Sequence, residues 1–199
     1  QKEDITSIEF AIDFGGSKSG HAFCARGYTD DYRDVIALKS KRIMAKDETE
    51  DIDSNMLDKL FCDFIQEVID EYAVTVKHGD YVEYSNTESA FWDSAETVLG
   101  NSIRNAVEKH FPWISVKAAK KRPINDRIHC TIKLMGAGRF WMTKDCQSLQ
   151  TAFSDAVWDQ EKENDERLDD GSTDIDSLDA FEYTIERDMK YLIQEVDDV

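Results

Sequence analysis

Four aspartates stand where this sequence leaves an apolar run or opens a helix: Asp13, Asp93, Asp176 and Asp179. Asp13 ends the run "SIEFAI" and precedes the turn-forming pair Gly15-Gly16 and a polar loop that closes at Gly20. Asp93 ends the short run "ESAFW". Asp176 and Asp179 are three residues apart, so a helix presents both on one side. An aspartate beside a glycine-rich turn suits three chemistries: a phosphate cradle, a nucleotide-binding hairpin, or a divalent-cation site. The third needs several carboxylates brought together. Mg²⁺ takes oxygen ligands in octahedral geometry, and two-metal phosphodiester hydrolysis places its ions about 3.5–4 Å apart.

The elements that would carry these residues follow from periodicity. Residues 7–14, 21–28 and 34–43 are runs of strand formers separated by Gly15-Gly16 and Asp30-Asp31, and read as an antiparallel meander. Asp53 is a candidate N-cap for a helix whose apolar residues, from Leu57 to Tyr72, recur at helical spacing. A strand over 88–93 and a helix over 96–110 come next. A strand over 113–119 then precedes a helix over 123–136, with Pro123 near its start and Gly136 closing it. Residues 139–142 read as a short strand, and Asp145 as the cap of a helix running to about residue 154. The polar stretch 159–174 reads as a loop or loose hairpin, and 174–193 as one final helix.

The order βββ, α, β, α, β, α and a final helix is that of the ribonuclease H-like fold. It predicts an α/β domain with a mixed central sheet, three antiparallel strands followed by parallel ones, flanked by helices. In that order of elements Asp13, Asp93 and the Asp176/Asp179 pair converge. The other two chemistries fail on the residues. A P-loop requires G-x-x-x-x-G-K-[ST] between a strand and a helix, whereas "GGSKSG" has its lysine before the last glycine and leads into a strand. Sugar-kinase and actin-like ATPases need a duplicated core and a second phosphate loop, and 199 residues hold one core without such a loop.

Composition sets further bounds. A hydrophobic content of 41% predicts a globular chain, and no apolar run reaches the roughly 18 residues a membrane span needs. No leader-like segment opens the sequence. Cys24, Cys62, Cys130 and Cys146 are scattered without a C-x-x-C pair, which argues against zinc and disulfides and fits a reducing cytosol. The net charge of −18 opposes DNA binding as an average, but its distribution does not. Between Arg104 and Lys144 ten Lys/Arg face only Glu108 and Asp126, a basic stripe on an acidic body. Within it Lys117, Lys120, Lys121, Arg122 and Arg127 are the candidate phosphate contacts. The histidines His21, His78, His110 and His129 fall outside the aspartate pattern and read as structural or surface residues.

Four stretches in this order, "IDFGGSKSGHAF", "FWDSAETVLGNSI", "KAAKKRPINDRI" and "DIDSLDAFEY", resemble the C-terminal nuclease domain of the large terminase subunit of tailed bacteriophages. The resemblance covers roughly residues 8–192, and "DSAE" and "DA-x-x-Y" are its most specific parts. It implies that Asp13 and Asp93 are the first two metal ligands and that the last helix supplies a third. Many members carry a histidine where this chain has Asp176, so both Asp176 and Asp179 stay candidates. It further implies two Mg²⁺ or Mn²⁺ ions and endonucleolytic cleavage of double-stranded, concatemeric phage DNA in the cytoplasm of the infected host. Residues 1–6 would be a linker remnant and 7–199 the nuclease domain. An N-terminal packaging ATPase, the small terminase subunit and the portal would be partners of the longer protein. A resolvase- or transposase-like nuclease, or a non-catalytic domain that binds packaging partners, are the alternatives.

Overall fold

The computed structural model describes residues 2–15, 20–30, 32–44, 52–78, 81–160, 167–168 and 173–197, with the side chains of 78, 81 and 194–197 left aside. Strands β1 (Ile5–Asp13), β2 (His21–Thr29) and β3 (Asp34–Ile43) form the expected meander, with Asp13 opposite Ala22 and Thr29 opposite Asp34. Helix α1 (Ser54–Tyr72) follows, and the Asp53 carboxylate caps it by accepting the Met56 N–H at 2.8 Å. Then come β4 (Thr75–His78), β5 (Tyr81–Tyr84), β6 (Thr87–Trp92), α2 (Thr97–His110), β7 (Ser115–Ala118), α3 (Ile124–Gly136), β8 (Phe140–Met142), α4 (Gln147–Asp155), α5 (Ile175–Ile185) and α6 (Met189–Asp197). The main sheet runs β7-β6-β1-β2-β3-β8. Its three pairings beyond the meander, β1–β6, β6–β7 and β3–β8, are parallel. This is the mixed sheet of the ribonuclease H-like fold.

Side chains alternate across a strand, and on β1 that alternation decides which face carries chemistry. Ile8, Phe10 and Ile12 join Phe23, Ala90 and Trp92 in an apolar layer against α1 and α2. Gly100 of α2 has no side chain because the Trp92 indole fills its space: an added Cβ would lie 2.0 Å from Nε1. Glu9, Ala11 and Asp13 point the other way, toward α5. There Ala22, Cys24 and Ala37 are small enough to let Leu178, Phe181 and Ile185 close onto the sheet.

Three local expectations change, and a fourth falls mostly outside the described residues. The hairpin β4–β5 forms a separate two-stranded sheet that the polar, charge-bearing stretch "TVKH…YVEY" did not announce. Asp145 is not a cap: Cys146 occupies that position and no side chain caps α4. The stretch 159–174, expected as a loop or loose hairpin, lies largely outside the described residues; Arg167 within it forms an isolated antiparallel bridge with Trp158 before it. The final helix is two helices. The chain turns at Glu186–Asp188, where the Glu186 carboxylate is drawn to the loop after β7 and Asp188 accepts the Tyr28 hydroxyl at 3.2 Å.

Candidate metal and nucleic-acid site

Asp13 sits at the C-terminal end of β1 and retains only 7% of its exposure. Asp93 follows β6, the parallel neighbour of β1, so the two strand ends lie side by side. Its Oδ1 accepts the Ala95 N–H at 2.8 Å, a turn that gives the first half of "DSAE" a local purpose. Helix α5 crosses this face. Its Tyr183 hydroxyl donates to Asp13 Oδ1 at 3.0 Å, and its Asp179, one helical turn earlier, reaches the same region. Tyr183 also packs on Ala11, Phe91 and Ala119. The last motif therefore contributes both a carboxylate and the group that orients Asp13.

Electrostatically Asp13 is the outlier. Burial, followed by the Asp179 carboxylate and more weakly by Asp93 and Asp176, pushes its carboxyl up to about 8, and the Tyr183 hydroxyl offsets only part of this. Among the described residues no cation is paired with it. The other carboxylates each have one. Lys121 Nζ lies 2.5 Å from Asp93 Oδ1. Arg127 Nη1 lies 3.1 Å from Asp179 Oδ1, with Arg167 Nη1 at 3.7 Å from the same atom. Arg42 holds Asp176 at 3.1 Å and Asp174 at 3.2 Å. Asp174, not Asp176, caps α5 by accepting the Ser177 N–H at 3.0 Å.

With the side chains turned to these partners, no three metal-ligating groups among the described residues stand close enough to hold one ion. The donor set nevertheless fits a hard dication. It is all oxygen, and it leaves a buried carboxyl without a counter-charge that such an ion would supply.

The basic stripe divides. Lys117, Lys120, Lys121 and Arg122 are exposed, on β7 or the loop after it. Arg127 corrects the expectation of a phosphate contact. It is 5% exposed on the inner side of α3, and its Nη1 is also 3.0 Å from Glu182 Oε2. A buried arginine between two carboxylates serves the protein interior rather than a duplex.

Two residues of this region escaped the sequence reading. Glu182 is buried beside Arg127 and Arg167, and burial drives its carboxyl up to about 7 although both arginines oppose the shift. Glu186 is fully buried and accepts the Arg122 N–H at 3.0 Å and the Lys120 N–H. Both lie in "FEYTIE", on a helix rich in acidic residues, and nothing in their spacing sets them apart. Of the histidines, His110 and His129 are exposed and His21 packs edge-on to Phe14, while the side chain of His78 lies outside the described residues.

The fold and the carboxylates at the ends of β1 and β6 define a ribonuclease H-like domain with an acidic site. Among solved structures, the large terminase of a thermophilic bacteriophage superposes with a TM-score of 0.66 at 14% identity, over 93% of this chain and 40% of that one. The nuclease domain of the SPP1 large terminase, solved with bound Mn, gives 0.60 at 17% identity over 94% and 89% of the two chains. The P22 large terminase nuclease domain gives 0.60 at 15% over 97% and 84%. The chain thus has the fold of large terminase nuclease domains and spans about 40% of the length of the thermophilic phage protein. No family model matches the sequence, and no curated protein sequence matches it. Among the described residues no helix is long and apolar enough to cross a membrane.

Proposed function

We propose that the chain is a divalent-metal-dependent endonuclease that cuts double-stranded DNA, acting on concatemeric phage genomes as they are packaged. The observation that carries this reading is Asp13: a carboxyl buried beside Asp179 and Asp93, held by Tyr183, and lacking a cation of its own among the described residues. Asp13, Asp93 and Asp179 would hold two Mg²⁺ or Mn²⁺ ions. Asp176 is the weaker candidate, because Arg42 engages it and it perturbs Asp13 least of the three. When bound, such ions would lower the pKa of a bound water and neutralise charge on the departing oxygen.

The chain's own residues do the positioning. Tyr183 fixes the Asp13 carboxylate by a hydrogen bond, Ala95 fixes Asp93, and Arg127 with Arg167 fixes Asp179. Lys117, Lys120 and Arg122 offer exposed charge beside the acidic site, where a phosphate backbone could lie. A packaging ATPase on the same polypeptide, the small terminase subunit, the portal and a host-cytoplasmic location belong to this proposal. The fold likeness to large terminases supports them. The test is plasmid nicking and linearisation with Mn²⁺ or Mg²⁺. Asp13→Asn and Asp93→Asn should each abolish cleavage while the circular dichroism spectrum is unchanged. Wild-type rates in both variants would exclude the assignment, and cutting confined to four-way junctions would favour a resolvase.

A further inference from the structure

The loop after β7 is fastened at several points. Ala119 N–H donates to Trp92 O at 2.8 Å, Arg187 Nη2 donates to Ala118 O at 2.9 Å, and the Glu186 carboxylate takes the N–H groups of Lys120 and Arg122. Lys121 lies between the two amides that Glu186 holds. It adopts φ +49°, a left-handed conformation unfavourable for a side chain of this kind. The result is that Lys121 points at the acidic site while its neighbours Lys120 and Arg122 face solvent. Its Nζ is 2.5 Å from Asp93 Oδ1, and 39% of its side chain stays exposed.

We infer that Lys121 is a tethered counter-ion that occupies Asp93 until a DNA phosphate draws it away, so that metal uptake and DNA binding are coupled. This rests on the proposed function. Lysine suits the task better than arginine, because a single compact charge on a flexible stem can change partners without giving up a two-point contact. Asp93 cannot turn fully toward a metal ion while Lys121 holds it. A phosphate arriving on the Lys120–Arg122 surface offers Lys121 an anion within reach of the same stem. By linkage, any gain in ion affinity that DNA produces is returned as an equal gain in DNA affinity when the ion binds. Glu186 is a positioning residue: it touches neither ion nor DNA, but its two hydrogen bonds hold the backbone on either side of Lys121.

The test titrates Mn²⁺ into the 199-residue chain and follows the electron paramagnetic resonance signal of the free ion. Lys121→Met, which removes the charge and keeps a side chain of similar length, should bind Mn²⁺ more tightly by up to about fivefold, the span of one partly exposed ion pair. Lys121→Arg should not. Glu186→Gln should move in the same direction as Lys121→Met, since a carboxamide offers one acceptor to two N–H groups. A short DNA duplex should raise the affinity for Ca²⁺, measured by isothermal titration calorimetry, in the wild type more than in Lys121→Met. Equal or weaker Mn²⁺ binding by Lys121→Met, or equal enhancement by DNA, overturns the inference while leaving the metal site standing. Absence of saturable Mn²⁺ binding in both proteins overturns the metal-site reading with it.

Discussion

Replacing Asp13 by Asn should stabilise the metal-free protein, and by an amount that depends on pH. The native carboxyl titrates at about 8 against an ordinary aspartate value of 3.8. Its native pKa is raised, so between these values the folded chain holds a proton that the unfolded chain releases, and stability falls as pH rises. The slope for one such group is about 1.4 kcal/mol per pH unit, which sets a ceiling of about 4 kcal/mol at pH 7. Rotation of the carboxyl and water entering the cleft relieve much of this strain, leaving about 1–2 kcal/mol. Asn has the neutral form's shape and still offers Oδ1 to the Tyr183 hydroxyl. For a domain of this size the gain corresponds to a Tm increase of about 3–6 °C. The assay is thermal melting of both proteins in chelator from about pH 5 to about pH 8.5. The Tm difference should be small at the acid end, widen up to about pH 8 and then level off. Saturating Mn²⁺ should reverse it by stabilising the wild type alone. A difference independent of pH over that range would refute the account of Asp13 as an uncompensated buried acid.

Three further outcomes follow from the geometry. Asp179→Asn should lower cleavage far more than Asp176→Asn, read as initial rates on plasmid DNA, since Asp179 is the stronger neighbour of Asp13 and Asp176 is held by Arg42. Removing Lys117, Lys120 and Arg122 together should weaken duplex binding and flatten its log–log salt dependence by about 0.9 per lost phosphate contact, measured by fluorescence anisotropy. Gly100→Ala should cost about 2 kcal/mol or more in urea unfolding, because its Cβ would lie 2.0 Å from Trp92 Nε1 and α2 must shift to admit it.

Much of this arrangement is written locally. The three meander strands and the Asp53 cap could be read from alternation and from one carboxylate before an apolar helix, because those features are set within a few residues. The strand-end positions of Asp13 and Asp93 followed for the same reason. What escaped depends on distant partners. The helix break at Glu186 is invisible in "FEYTIERDMKYLI", whose apolar spacing runs through it, because the cause is a loop 64 residues earlier. Arg127 looks like part of a basic stripe until α5 brings Asp179 and Glu182 against it, more than 50 residues later in the chain. Lys121 is indistinguishable from its neighbours for the same reason: charge is readable from a sequence, but the direction in which a clamped backbone aims it is not.

The placement of α5 has a consequence for how the protein is made. The hydrogen bond that orients Asp13 comes from Tyr183, 170 residues away, whereas Asp13 and Asp93 meet across β1 and β6 much earlier in synthesis. A nascent chain emerging residue by residue can pair the meander and lay down β6 while the acidic face of β1 still opens onto solvent. The meander pairings are local, whereas the closing of α5 over β1 and β2 is a long-range step. Until α5 docks, Asp13 lacks Tyr183 and Asp179 lacks Arg127. On any chain still short of that helix, the acidic face has Asp13 and Asp93 but neither the orienting hydroxyl nor the third carboxylate that α5 brings.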